Sequence, residues 1–341
     1  MKKTLFNVLI FAFVATIAFT SCDGDDPIVK DKVIEDLENG IMEGSLTEDF
    51  TLDASVSYTL TGAFIVPDSV SLTIPAGTNI LATDGGTDVY IAVMQGGKIF
   101  IEGTSANPVI MSSSNANPGD WGGLTICGKA TTTAGVNAEA EVGGFIYGGT
   151  DNADNSGSIE YLVIKGTGAQ INSESQYNGV SFYAVGSGTK VANLAVINGS
   201  DDGVEFFGGS VSVENLFLQN NEDDAIDWTE GWDGTVTNAY VEHTIEGFST
   251  VVEADKENAN PKIINLTAVS TTGGTALQFK KESGATITNL YLEGYAKNID
   301  MKDGGPLENV IIDGAAADPA AAYNTGTKVD ISGWTWSSSS L

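Results

Sequence analysis

A six-residue pattern, apolar, any, Asn, apolar, any, apolar, recurs through the second half of the chain and restricts it to a stack of similar units. Seven copies are centred on Tyr161, Asn193, Asn215, Asn238, Asn265, Asn289 and Asn309, with successive Asn spacings of 22, 23, 27, 24 and 20 residues. The position two before the centre reads Ile159, Val191, Val213, Val236, Ile263, Ile287, Leu307, and the position after it Leu162, Leu194, Leu216, Ala239, Leu266, Leu290, Val310. Strict strand alternation points positions −2, 0 and +2 to one face, yet here −2, +1 and +3 are apolar. The phase therefore breaks at the Asn, which the pattern places at a corner, each amide bonding its neighbour one strand spacing away. Tyr161 interrupts this ladder, at a coil followed by a long insertion between Gly166 and Asn178.

A second strand is expected about ten residues after each corner: Val204-Glu205-Phe206, Ile226-Asp227-Trp228, Phe248-Ser249-Thr250, Leu277-Gln278-Phe279 and Ile299-Asp300-Met301. Its outer members face the core and its middle member faces away. In the first half, Val70–Thr78 and Lys98–Thr104 read as strands closed by Gly turns. The pattern predicts an all-β fold: a single-stranded, right-handed parallel β-helix, a solenoid with an Asn ladder, of about ten to twelve coils and roughly 50 Å. Its open ends need covering. Ile28–Gly44 is assigned to one cap and Trp334 and Trp336 to the other.

Composition narrows the partners. The 41 Gly among 341 residues suit a turn-rich fold, and the formal charge is −30. All 15 basic residues are Lys. Without Arg the bidentate guanidinium fork is missing, and with this charge nucleic-acid binding is excluded. Cys127 lies in the strand-like Leu124–Cys127 and reads as a small buried hydrophobe.

At the N-terminus, Met1-Lys2-Lys3 precedes an apolar run from Thr4 to Phe19, too short for an ordinary membrane span but suited to a signal-peptide core. Phe19-Thr20-Ser21-Cys22 resembles the lipobox of a bacterial lipoprotein, and Asp23-Gly24-Asp25-Asp26 is similar to the acidic tract of surface-exported lipoproteins of Bacteroidota. This resemblance implies a signal peptide over residues 1–21, a tether and N-terminal cap over 22–49 lipidated at Cys22, and a β-helix with C-terminal cap over 50–341. The expected address is the outer membrane, lipid-anchored and exposed at the cell surface.

Leu72–Thr78, Glu102–Ile110, Gly119–Leu124, Tyr147–Asp151 and Asp201–Gly209 together resemble a family of bacterial extracellular, pectin-lyase-like solenoids over roughly residues 50 to 335. No one activity belongs to that family, so the resemblance implies fold rather than function.

Acidic side chains concentrate on three coils. Glu205 and Asp227 occupy the outward position of neighbouring second strands, and Asp201, Asp202, Asp223, Asp224 and Glu246 lie in the turns before them. Carboxylates one strand spacing apart must hold a cation, share protons or splay into solvent. Asp201, Asp202, Glu205, Asp223, Asp224 and Asp227 are the metal-ligand candidates, their oxygens suiting Ca²⁺, and Trp228 and Trp232 are candidate faces for sugar rings. Three readings stand open: turn chemistry with a solvated acidic face, a Ca²⁺ site that is structural or bridges to sugar, and a glycoside hydrolase. For the last, Asp223, Asp224 and His243 resemble the Asp-Asp and His of the polygalacturonase class, but Gly-His-Gly and Arg-Ile-Lys are absent. The combined expectation is a surface lipoprotein acting as a binding or structural module, through Ca²⁺-assisted glycan binding or as an accessory to an outer-membrane transporter.

Overall fold

The computed structural model describes residues 31–173, 175–255, 259–280, 282–302, 307 and 309–337. The expected signal peptide, Cys22 and the first part of the tether lie outside the described residues. From Asp31 onward the chain is one compact unit. It begins with a helix, Lys32–Glu38, capped by Asp31, whose carboxylate accepts from Val33 N at 2.9 Å. This helix buries Ile34 and Leu37 against the first coil. Parallel pairing starts at once, Ile41–Ser45 lying beside Tyr58–Val66, ahead of the boundary expected at residue 50.

Among the described residues twenty-three strands join into one hydrogen-bonded set, and the chain winds through it as a right-handed parallel β-helix. Six long strands, Gly157–Lys165, Lys190–Ile197, Ser212–Gln219, Thr235–His243, Lys262–Ser270 and Ala285–Glu293, stack in register. Ile159, Val191, Val213, Val236, Ile263 and Ile287 form one inward column, and Leu162, Leu194, Leu216, Ala239, Leu266 and Leu290 another.

The phase break has a backbone cause. Tyr161, Asn193, Asn215, Asn238, Asn265 and Asn289 all sit in the left-handed region, at φ between 52° and 61°, where the strand bends and the inward phase resets. Asn tolerates this conformation better than other side chains. The amides also bond one another: Asn215, Asn238, Asn265 and Asn289 each donate through Nδ2 to Oδ1 of the preceding Asn, at 2.8 to 3.0 Å.

Three expectations are corrected. Asn309 is not a seventh corner, because Ile287 pairs with Ile312 rather than Leu307. Asp313 and Gly314, at φ 51° and 79°, instead reverse the chain into an antiparallel hairpin, Val310–Ile312 with Ala315–Ala316. The third of the expected second strands is Val252–Ala254, not Phe248–Thr250. At 27 residues, the spacing from Asn238 to Asn265 is the longest between successive corner Asn residues, and its extra residues extend the turn before that strand. Trp334 and Trp336 do not cap the end. The C-terminal segment runs back along the corner row, and Trp336 packs against Val163, Ala195, Ile197 and Phe217 on the flank, meeting the Tyr161 ring edge-on at 5.8 Å.

An insertion between Cys127 and Gly157 carries a small hairpin, Ala138–Glu139 with Ile146–Tyr147. Ala140, Val142, Phe145 and Tyr147 pack onto the outer face of the second-strand sheet, against Cys127, Tyr183 and Phe207. A face that alternation leaves open to water is thereby partly buried.

Candidate functional site

The second strands place one outward residue per coil in a single column: Ser181, Glu205, Asp227, Glu253, Gln278, Asp300. Period-two alternation dictates it, since Ile226 and Trp228 on either side of Asp227 are held in the core. The turns Asp201-Asp202 and Asp223-Asp224 enter these strands from one side. Asp202 Oδ1 accepts from Asp224 N at 2.9 Å, and Asp224 Oδ1 accepts from the Thr250 hydroxyl, so each turn is tied to the next coil. From the equivalent turn of the preceding coil, Gln176 Nε2 donates to Asp201 Oδ1 at 2.7 Å, and Asn178 Nδ2 donates to Glu205 Oε2 at 2.6 Å.

These groups line a cleft of about 250 Å³, closed by Glu141 from the insertion and by Ser173 and Gln176. Two triples converge in it. One oxygen each from Asp201, Asp202 and Asp223, and one each from Asp202, Glu205 and Asp227, lie within 4.8 Å of one another. Asp202, Glu205 and Asp227 are only 5%, 9% and 9% exposed, which leaves little water to solvate their charge.

The electrostatics follow from burial. Desolvation, reinforced by neighbouring carboxylates, holds Asp202, Glu205 and Asp227 well above the ordinary carboxyl range. Burial raises Asp201 to about 8, with Asp223 and Glu141 adding to it against the Gln176 hydrogen bond. Asp224 is raised to about 7 by burial and by Asp223, and Glu141 to about 7 by burial and by Glu230. Among the described residues, lysines pair with the later members of the column: Lys280 Nζ lies 2.6 Å from Glu253 and Lys302 Nζ 3.9 Å, and Lys297 pairs with Asp300. Among the described residues no lysine pairs with Asp201, Asp202, Glu205, Asp223 or Asp227. Asp227 Oδ1 and Asn178 Oδ1 are buried with no hydrogen-bond partner there.

The donor set is all oxygen, and ligands of one Ca²⁺ at about 2.3–2.6 Å stand no further apart than roughly 5 Å, so each triple fits one such ion. Asp202 belongs to both. Asp224 belongs to neither, because its carboxylate turns to Thr250.

Three other candidates are corrected. Trp228 and Trp232, expected to face sugar, are 3% and 0% exposed. Trp232 stacks on Phe206 at 4.1 Å and donates Nε1–H to Val211 O, filling the core. His243 is fully buried, stacked on Phe248 at 3.7 Å with Nδ1 3.1 Å from Tyr295 Oη, and lines no part of the cleft. Burial lowers it to about 4, so Asp223, Asp224 and His243 are not assembled into one site. Lys280 is paired with Glu253, and Glu246 is exposed away from the cleft.

Sequence reasoning missed Glu253 and Glu141. The alternation Val252-Glu253-Ala254 matches Ile226-Asp227-Trp228 and could have revealed the first. Glu141 arrives on an insertion outside the repeat, where spacing carries no signal.

Residues 44–330 match a family model described as a pectate-lyase like beta helix domain. No curated protein and no solved structure matches the chain.

Proposed function

Because the chain belongs to the pectate-lyase-like β-helix family, whose fold fits a carbohydrate-related role, we propose that it is a lipid-anchored protein of the outer-membrane surface that binds glycans with the help of Ca²⁺. The observation carrying this reading is the buried triple Asp202, Glu205 and Asp227, with oxygens within 4.8 Å and one Asp227 oxygen unpartnered among the described residues. A divalent cation cancels charge that no lysine pairs with among the described residues and gives that oxygen a partner. Asp202, Glu205 and Asp227 would hold the ion, with Asp201 and Asp223 on the open side. Ca²⁺ accepts six to eight oxygens, so sugar hydroxyls could complete a shell that the protein fills in part. The lipobox-like Phe19–Cys22 supports the membrane anchor, and a surface position would suit an accessory to an outer-membrane transporter. Binding is favoured over hydrolysis because the carboxyls of the triple are buried and His243 is packed elsewhere.

The test is calorimetric titration of chelator-treated protein with Ca²⁺, beside thermal unfolding with and without the ion. At a hundredfold excess over Kd, a native-state site adds about 2.7 kcal/mol of stability. That gain is expected to disappear in Asp202→Asn and Asp227→Asn. Absence of both binding heat and any change in melting temperature would sink the calcium reading.

A further inference from the structure

A second polar groove lies on another flank. One wall is the row of corner amides, Asn215, Asn238, Asn265 and Asn289; the other is the returning C-terminal segment, and together they enclose about 420 Å³. The segment is pinned at one end by Asn289, whose amide accepts from Thr327 N at 2.7 Å and donates to Thr327 O at 2.9 Å, and by Val329 N donating to Thr267 Oγ1 at 2.9 Å. At the other end Trp336 is buried against Tyr161, and Trp334 stacks on it at 5.6 Å, half-exposed at the groove.

The row spends only part of its hydrogen-bonding capacity on itself. Asn215, Asn238 and Asn265 each donate one N–H and accept one bond along the row. An amide has two N–H donors and two lone pairs. Among the described residues each therefore keeps one donor and one acceptor uncommitted, repeated every strand spacing of about 4.8 Å over roughly 10 Å. Lys328 at the rim is neutralised by Glu293, whereas Asp330 on the same wall accepts from Ser332 N and pairs with no lysine among the described residues, so the groove offers no unbalanced positive charge.

We infer that this groove binds a linear neutral glycan, its hydroxyls bonding successive corner amides and one ring lying on Trp334. A hydroxyl both donates and accepts at one atom, which suits an amide with one of each to spare. A half-exposed indole suits the apolar face of a pyranose. The ligand is neutral because one wall presents uncharged amides and the other the lone carboxylate of Asp330 beside an already paired Lys328, which leaves no cation to hold an anionic sugar. The inference does not depend on Ca²⁺.

The experiment uses the full chain in excess chelator, titrated with neutral hexasaccharides of glucose, mannose and xylose and followed by tryptophan fluorescence and calorimetry. One or more should bind with a fluorescence change that Trp334→Ala removes, weakening affinity about tenfold or more. Asn238→Gly should weaken binding too while the protein stays folded, because Gly adopts the left-handed corner without a side chain. The inference is overturned if no hexasaccharide binds in chelator. It is equally overturned if binding survives both substitutions, or if an extended neutral peptide binds as tightly as the sugars.

Discussion

A corner residue here must hold a left-handed backbone and satisfy its neighbours at once, and Asn does both. At φ 61°, Asn265 accepts from Asn289 and donates to Asn238, so its amide joins three coils. Replacing it separates the two contributions. Asn265→Gly keeps the conformation and loses only the amide bonds, at about 1 kcal/mol net each. Asn265→Val loses the same bonds and forces a β-branched residue into a region costing about 1–2 kcal/mol more. Denaturant unfolding should therefore rank wild type above Asn265→Gly above Asn265→Val, and equal midpoints for the two variants would remove the backbone from this account.

The outward column of the second strands behaves as one electrostatic element. Asp224 and Glu141 are raised to about 7 and Asp201 to about 8, against ordinary values of 3.8 to 4.5. A folded-state value above the unfolded one means that the folded protein keeps protons the unfolded chain has released. The associated stability is complete below about pH 4 and is lost as pH rises through 7 to 8. Lys280 and Lys302 counter this in part, at Asp227 and Asp223 respectively, and His243, lowered to about 4, runs oppositely between pH 4 and 6.5. Calcium-free protein should thus lose stability from pH 6.5 to 8.5, and Asp227→Asn should flatten that slope; a flat wild-type profile over this range would contradict the burial of these carboxyls. Much of this element is visible in the sequence, because alternation marks Glu205 and Asp227 as outward from Val204-Glu205-Phe206 and Ile226-Asp227-Trp228 alone. Alternation also places Trp228 inward, a consequence that outweighs the attraction of an indole for sugar. What it does not reveal is that an outward position can be buried. The hairpin bearing Tyr147 and Glu141 lies outside the repeat and turns a solvated acidic face into a cleft. The end of the solenoid is likewise marked by Asp313-Gly314, a hairpin signal that the Asn309 pattern obscured.

At the scale of the folded unit, a solenoid is held by contacts between adjacent coils, and stability that depends on neighbours alone lets its ends fray. The C-terminal segment adds contacts of a different kind. It leaves the last coils at Asn289 and Thr327, bonds Thr267 one coil earlier, and ends with Trp336 on Tyr161, four coils earlier still. The flank under it is apolar where alternation puts residues outward, at Val163, Ala195, Ile197 and Phe217, and would face water if the segment left. Trp336→Ala should therefore act in two ways. Removing a buried indole costs about 3–5 kcal/mol by itself. Losing the tie between distant coils should also split or broaden the unfolding transition, with the coils nearest Asn289 opening first. Hydrogen exchange checks both: protection in Ala285–Glu293 should fall further than in Gly157–Lys165, although the substituted side chain packs against the latter. A loss confined to the strands around Tyr161 would mean that the segment only covers the flank and does not couple its ends.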